Sequence, residues 1–257
     1  MTNPLLEVCI LAAGRGTRMQ SRVPKVMHQL GGKPLLAHLL QTVQRLEPAV
    51  IHVVIGPEGK KAQEMFANSG VNWVTQRDRR GTGHAVQQVM PAVGANSKLL
   101  ILPGDAPLVS FETLSALISV DSVFTLLTAL LDDPSGYGRI IRGDSELVAA
   151  IVEDRDATEE EKGIHEINTG MMAVLAGYLA TWLPRLTDDN VQQELLLTDI
   201  IALAVQDNVS VKTFVSNDPL EVSGINTQEQ LAAMERALQC RTTLSDTGAG
   251  SARNRVK

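Results

Sequence analysis

The chain has 257 residues, 23 basic and 29 acidic, and a formal charge of −6. That length can bury a sizeable core, and the acidic balance argues against general nucleic-acid binding. Aromatic residues at 3% give no stacking platform for single strands, and the two distant cysteines, Cys9 and Cys240, form neither a metal pattern nor a disulfide framework. A reducing, cytoplasmic setting is therefore expected. MTNPLLEVCI at the start lacks the basic region of a signal peptide, and no apolar stretch approaches a membrane span.

Apolar runs bounded by turn residues predict buried strands at residues 8–11, 51–55, 99–102 and 123–130. Helices are predicted between them. Pro34 suits a first helical turn, after which Leu35, Leu36, Leu39, Leu40 and Val43 line one face. Residues 60–66, 83–90 and 111–120 read as three further helices. This alternation predicts an α/β fold, a parallel sheet with helices on both faces. Beyond it, 139–142 and 148–152 read as a hairpin around Gly143-Asp144-Ser145. Glu159-Glu160-Glu161 reads as a solvated helix turn, and 168–174 as a strand. Residues 195–205 and 228–238 read as helices, and 241–257 as a disordered tail. One continuous domain is expected over 1–240, in two halves of about 1–110 and 111–240.

The most informative segment follows the first strand: residues 11–25, LAAGRGTRMQSRVPK. Gly14 and Gly16 let backbone N–H groups approach an anion, and Arg15, Arg18 and Lys25 add three cations. The loop is not a Walker A sequence, because no lysine follows its second glycine. It is a poor dinucleotide fingerprint, because Met19 stands where a third glycine is needed. Guanidinium groups suit a triphosphate or a departing pyrophosphate. Arg15 and Lys25 are assigned to the β- and γ-phosphates as catalytic residues; Arg18 either contacts phosphate or braces the loop. Asp105 follows a strand and a tight turn, so its carboxylate is expected at the same crevice as a Mg²⁺ ligand. Gln76 carries an amide donor and an acceptor that can read a base edge, and the Gly81-Thr82 backbone can approach a flat ring. His84 is read as structural.

L-x-x-G-x-G-T-R-M-x(5)-P-K resembles the signature of the sugar-nucleotide pyrophosphorylases, and among them the N-terminal domain of the bacterial N-acetylglucosamine-1-phosphate uridylyltransferases. The resemblance continues in order through Gly81-Thr82-Gly83-His84-Ala85, Gly104-Asp105, Gly136-Tyr137-Gly138-Arg139-Ile140, Glu166-Ile167-Asn168-Thr169-Gly170 and Leu197-Thr198-Asp199-Ile200-Ile201. It covers roughly residues 5–240. It implies a Rossmann-like nucleotidyltransferase fold with a small sugar-binding β subregion. It also implies a reaction of UTP with a sugar 1-phosphate, N-acetylglucosamine 1-phosphate first among them, with Mg²⁺ as cofactor.

By the same resemblance Leu11, Ala12, Ala13, Gly14, Pro103 and Gly104 join Gln76, Gly81, Thr82 and Asp105 around the nucleotide. Asn226 becomes the second metal ligand, although on its own it reads as a helix N-cap. Gly138, Glu153 and Asn168 fall around the sugar; Thr198 and Asp199 read as structural.

The chain departs from the family at Pro103, where a tyrosine is usual, and around Leu195-Leu196, where tyrosines are usual. The bifunctional relatives continue into a hexapeptide-repeat β-helix. No such period is present here, so acetyl transfer is not expected, and a monomer or weak oligomer is. Two other functions fit the sequence: a pyrophosphorylase for a related sugar phosphate or nucleotide, and a non-catalytic nucleotide-sugar sensor, whose support is Pro103.

Overall fold

The computed structural model describes residues 4–21, 23–143 and 146–250. Residues 1–3, Arg22 of the phosphate loop, Asp144 and Ser145 of the predicted hairpin turn, and 251–257 of the predicted tail lie outside the described residues.

The first half alternates strand and helix as the hydrophobic pattern requires: β1 (Leu6–Ala12), a short ribbon of β2 (Gln29–Leu30) and β3 (Lys33–Pro34), α1 (Leu35–Gln44), β4 (Val50–Ile55), α2 (Lys60–Met65), β5 (Asn72–Thr75), α3 (Thr82–Val89), β6 (Lys98–Pro103) and α4 (Phe111–Ser119). The second half adds β7 (Phe124–Leu130), β8 (Arg139–Arg142), β9 (Val148–Val152), α5 (Glu159–Lys162), β10 (Glu166–Leu175), α6 (Ala176–Trp182), α7 (Ile200–Gln206), β11 (Lys212–Ser216), α8 (Pro219–Val222) and α9 (Gln228–Gly250).

The main sheet runs β11-β7-β10-β6-β1-β4-β5, with the β8–β9 hairpin attached to β10. β1, β4, β5 and β6 pair in parallel, as do β7 and β11. β10 runs antiparallel to both β6 and β7 and joins the two parallel blocks. The sheet is therefore continuous across residue 110.

Successive residues of β1 serve opposite layers. Val8 and Ile10 pack with Leu36, Leu39 and Val43 of α1, Ala62 of α2, and Leu114 and Leu117 of α4. Cys9 packs with Val86 and Val89 of α3, Leu179 and Trp182 of α6, and Ile200 and Ile201 of α7. Each buried leucine contributes about 2 kcal/mol. Burial pushes the Cys9 thiol up to about 12, so this cysteine is core, not nucleophile. Among the described residues no helix is long and apolar enough to cross a membrane.

Several expectations are corrected. Pro34 is not in the first turn of α1 but caps it, extended at ψ 145°. The helix predicted from 195 begins later, with a 3₁₀ turn at Leu197–Asp199 leading into α7. Leu195 is unavailable to a helix because its N–H donates to Arg80 O (2.7 Å) and its carbonyl accepts from Gly83 N–H (2.8 Å). α9 runs to Gly250, ten residues past the predicted start of the tail. The run Leu231-Ala232-Ala233-Met234-Glu235-Arg236-Ala237-Leu238 consists of strong helix formers. α5 is the solvated helix turn expected at 159–161, closed by a capping box between Thr158 and Glu161.

Candidate active site

The parallel strands β1, β4, β5 and β6 end at one edge of the sheet, and the segments that follow β1, β5 and β6 line a cleft of about 600 Å³ there. Leu11, Ala12, Ala13, Gly14, Arg15, Lys25, Gln76, Gly81, Thr82, Pro103, Gly104 and Asp105 line it. The topology explains the convergence: four parallel strands deliver four loops to one edge. Gly104 N–H donates to Leu11 O (2.9 Å), which sets the β6 turn against the end of β1. Gly16 stands at φ +61°, and a Cβ there would lie 2.9 Å from Lys25 Cβ, so its lack of side chain lets the loop fold onto Lys25.

Lys25 is the hub of one end of the cleft. Its ammonium ion-pairs with Asp105 and donates to Asn226 Oδ1 (2.7 Å). Arg18 Nη2 reaches the same Asn226 oxygen at 2.8 Å. Arg18 thus braces the loop against the α9 entry. Asn226 does not cap α9, because Thr227 does: Gln230 N–H donates to Thr227 Oγ1 (3.2 Å), and Gln230 Oε1 accepts from Thr227 N–H (3.1 Å). That frees the Asn226 side chain for the cleft. Ile225 N–H donates to Asp105 O (2.9 Å) and fastens this segment beside the β6 turn.

Asp105 and Asn226 present oxygens to one ammonium, so the two can share one cation, and they fit Mg²⁺ held by few protein oxygens plus substrate phosphates. Among the described residues no group of three or more His, Cys, Asp or Glu could hold a metal by itself.

At the other end of the cleft Gln76 is only 3% exposed. Its Nε2 donates to Gly81 O (3.0 Å) and meets His84 Nδ1 (3.1 Å). The bond to Gly81 O spends one amide proton of Gln76 inside the protein. His84 sits between two amides, because its Nε2 meets Gln88 Nε2 (3.1 Å), and its tautomer sets which of them donates to the ring.

Gly81 stands at φ +104°, and a Cβ there would lie 2.5 Å from Leu195 O. Residues 194–197 form a strap over this loop: besides the Leu195 bonds, Leu197 N–H donates to Thr82 Oγ1 (3.0 Å). Of the two leucines in the positions where tyrosines are usual, Leu195 is buried and fills core space, and Leu196 is half-buried.

Gly138, Glu153 and Asn168 are absent from the lining of this cleft and gather in their own group. Asn168 N–H donates to Gly138 O (2.8 Å), and a Cβ on Gly138 would lie 3.6 Å from Glu153 Oε2. Glu153 is held by Thr198 Oγ1 (3.1 Å). Burial pushes its carboxyl above the ordinary value; the Thr198 hydrogen bond opposes this, and Asp199, Asp156 and Asp154 add to it. The β10–β7 register shifts between Asn168 and Met172, a bulge that sets the direction of Asn168. Gly170 in that bulge lies against Pro103, with an ideal Cβ 3.7 Å from Pro103 Cγ, so the group adjoins the cleft.

Sequence reasoning missed Arg79, Glu58 and Glu194. Arg79 and Glu194 line the cleft. Arg79 Nε donates to Ala13 O (2.6 Å), and its Nη2 pairs with Glu58. The available signal was three arginines, Arg77, Arg79 and Arg80, directly before Gly81.

Residues 8–128 match the MobA-like NTP transferase domain. The bifunctional protein GlmU of Methylobacillus flagellatus is 48% identical over 237 residues, 92% of this chain and 51% of that protein. GlmU of Pseudomonas syringae pv. tomato is 47% identical over 92% of the chain and 52% of its own length. The chain spans about half the length of the curated relatives it matches, their N-terminal half. Among solved structures, a UDP-glucose pyrophosphorylase complexed with UDP-glucose superposes with a TM-score of 0.70 at 18% identity, covering 92% of this chain and 99% of that one. The inositol-1-phosphate CTP transferase of T. maritima gives 0.67 at 16%, covering 90% and 96%. These two likenesses establish the Rossmann-like fold; residues 8–128 match an NTP transferase domain, and the chain is similar to the N-terminal half of the GlmU proteins.

Proposed function

We propose that the protein transfers a uridylyl group from UTP to N-acetylglucosamine 1-phosphate, giving UDP-N-acetylglucosamine and pyrophosphate. The observation that carries this reading is the convergence of Arg15, Lys25, Asp105 and Asn226 at one end of a cleft whose other end presents the Gln76 acceptor. A phosphate oxygen of the sugar phosphate attacks the α-phosphorus. The bond from that phosphorus to the bridging oxygen breaks, and pyrophosphate departs with the electron pair. The substrate phosphate is itself the nucleophile, so the protein supplies position and charge.

Arg15 and Lys25 take up the charge that grows on the leaving pyrophosphate. Gln76 Oε1 accepts from the uracil N3–H. Glu153 and Asn168 hold sugar hydroxyls. Asp105 and Asn226 would hold Mg²⁺, which when bound neutralises phosphate charge. The similarity to GlmU proteins over 92% of the chain supports the choice of base and sugar.

Pyrophosphate release from UTP and N-acetylglucosamine 1-phosphate, with and without EDTA, tests the reading. Release is expected only with the metal. A panel of thymidine and cytidine triphosphates, glucose 1-phosphate and N-acetylmuramic acid 1-phosphate checks the substrates. Faster turnover of any other pair overturns the substrate choice. UDP-sugar binding without turnover of any pair overturns the enzyme.

A further inference from the structure

Arg79 stands in the base-reading segment, yet its contacts are at the phosphate end. Nε donates to Ala13 O at 2.6 Å, and Nη2 pairs with Glu58, in the turn that follows β4. The guanidinium crosses directly over Gly56, where a Cβ would lie 2.1 Å from Nη2. The path is thus kept clear for it. Burial pushes the Glu58 carboxyl up, but the bonds and charge of Arg79, with the charge of Arg15, outweigh this and hold it below the ordinary value.

A peptide unit is planar and trans, so its C=O and its N–H point in opposite directions. Fixing the Ala13 carbonyl fixes the direction of the N–H of Gly14, a residue that lines the cleft. Pairing with Arg79 also neutralises a carboxylate that lies near Arg15 and would repel a triphosphate.

We propose that Arg79 is a positioning residue: a strut from the base loop to the phosphate loop that sets nucleoside triphosphate affinity. It rests on the proposed nucleotidyl transfer at this same cleft. A lysine cannot replace it, because an ammonium lacks the planar fork that serves Ala13 O and Glu58 together.

Two measurements on the full chain test it. In the pyrophosphate assay, Arg79→Met raises the KM for the nucleoside triphosphate about tenfold, the usual worth of a charge-assisted hydrogen bond. The KM for the sugar phosphate stays unchanged. In amide hydrogen exchange of the substrate-free protein, the same variant exchanges faster at residues 13–17 and unchanged at the 194–197 strap. Arg79→Lys restores neither. An equal rise in both KM values, unaltered exchange at 13–17, or full recovery in Arg79→Lys overturns the proposal. If the wild type releases no pyrophosphate with any nucleotide, the enzymatic reading fails, while the exchange experiment still decides on the strut.

Discussion

At the amino ends of the parallel strands, the Glu7 carboxylate is enclosed by donors. His52 Nε2 lies at 2.9 Å, Ser97 Oγ at 2.5 Å and Gly94 N–H at 2.9 Å, and Asn72 Nδ2 holds the far nitrogen of His52 at 2.9 Å. At the carboxyl ends of the same strands, Arg15, Lys25 and Arg79 face an open cleft. Both ends are polar and rich in hydrogen bonds. The first has its central groups, Glu7, His52 and Ser97, buried with their partners inside the protein, so it contributes stability. The second keeps its cations where a ligand's oxygens can replace protein acceptors, so it can contribute binding and catalysis.

The largest effect that would sharpen this contrast is at Lys25 and Asp105. Lys25→Ala and Asp105→Ala are each expected to lower pyrophosphate release about a thousandfold while moving the melting temperature little. A variant that unfolds instead would make this end structural and break the comparison. Next comes Gly81→Ala, which adds a Cβ against Leu195 O at a backbone conformation L-residues rarely adopt. Displacing the strap is expected to raise the KM for the triphosphate about a hundredfold, read in the same assay.

Glu7→Gln should leave kcat and KM intact and cost about 2 kcal/mol of stability. Burial raises the Glu7 carboxyl, but the bonds from His52, Ser97 and Gly94 and the His52 charge outweigh it and lower its pKa. A lowered folded value means the contribution is present above the unfolded carboxyl pKa and lost as pH falls through the folded one. Melting curves of wild type and variant should therefore converge in acid and separate at neutral pH; curves parallel at every pH would remove Glu7 from the account.

The smallest effect is at Glu153. Its raised pKa means protonation sets in earlier on acidification. The KM for sugar phosphate should therefore rise more steeply on acidification in the wild type than in Glu153→Gln, where only the substrate phosphate's own titration remains.

The long strands, and the meeting of the glycine-rich loop with Asp105 at one cleft, were legible because their signals are local: an apolar run, a glycine-rich turn and clustered charge within a few residues. What escaped were elements defined by distant partners. β5 and β11 are short strands at the two sheet edges, with half-buried sequences that carry no apolar run. Leu195 reads as helical by composition and is extended only because Arg80 and Gly83 claim its backbone. Arg79 acquires its part from Ala13 and Glu58, neither of which is adjacent in sequence. Asn226 was separable from a cap only once Thr227 was seen to do the capping.

The single reversed strand of the main path also sets an order of assembly. β6 ends at Pro103, but its second neighbour is β10, which begins at Glu166. Until that stretch is made, the nascent chain carries a parallel four-strand layer with one long, apolar edge open to other chains. The closing event is a distant strand pairing, which is intrinsically slow. β10 also carries Asn168 of the proposed sugar group, so substitutions on β10 chosen to alter the sugar should be screened for yield as well as for rate.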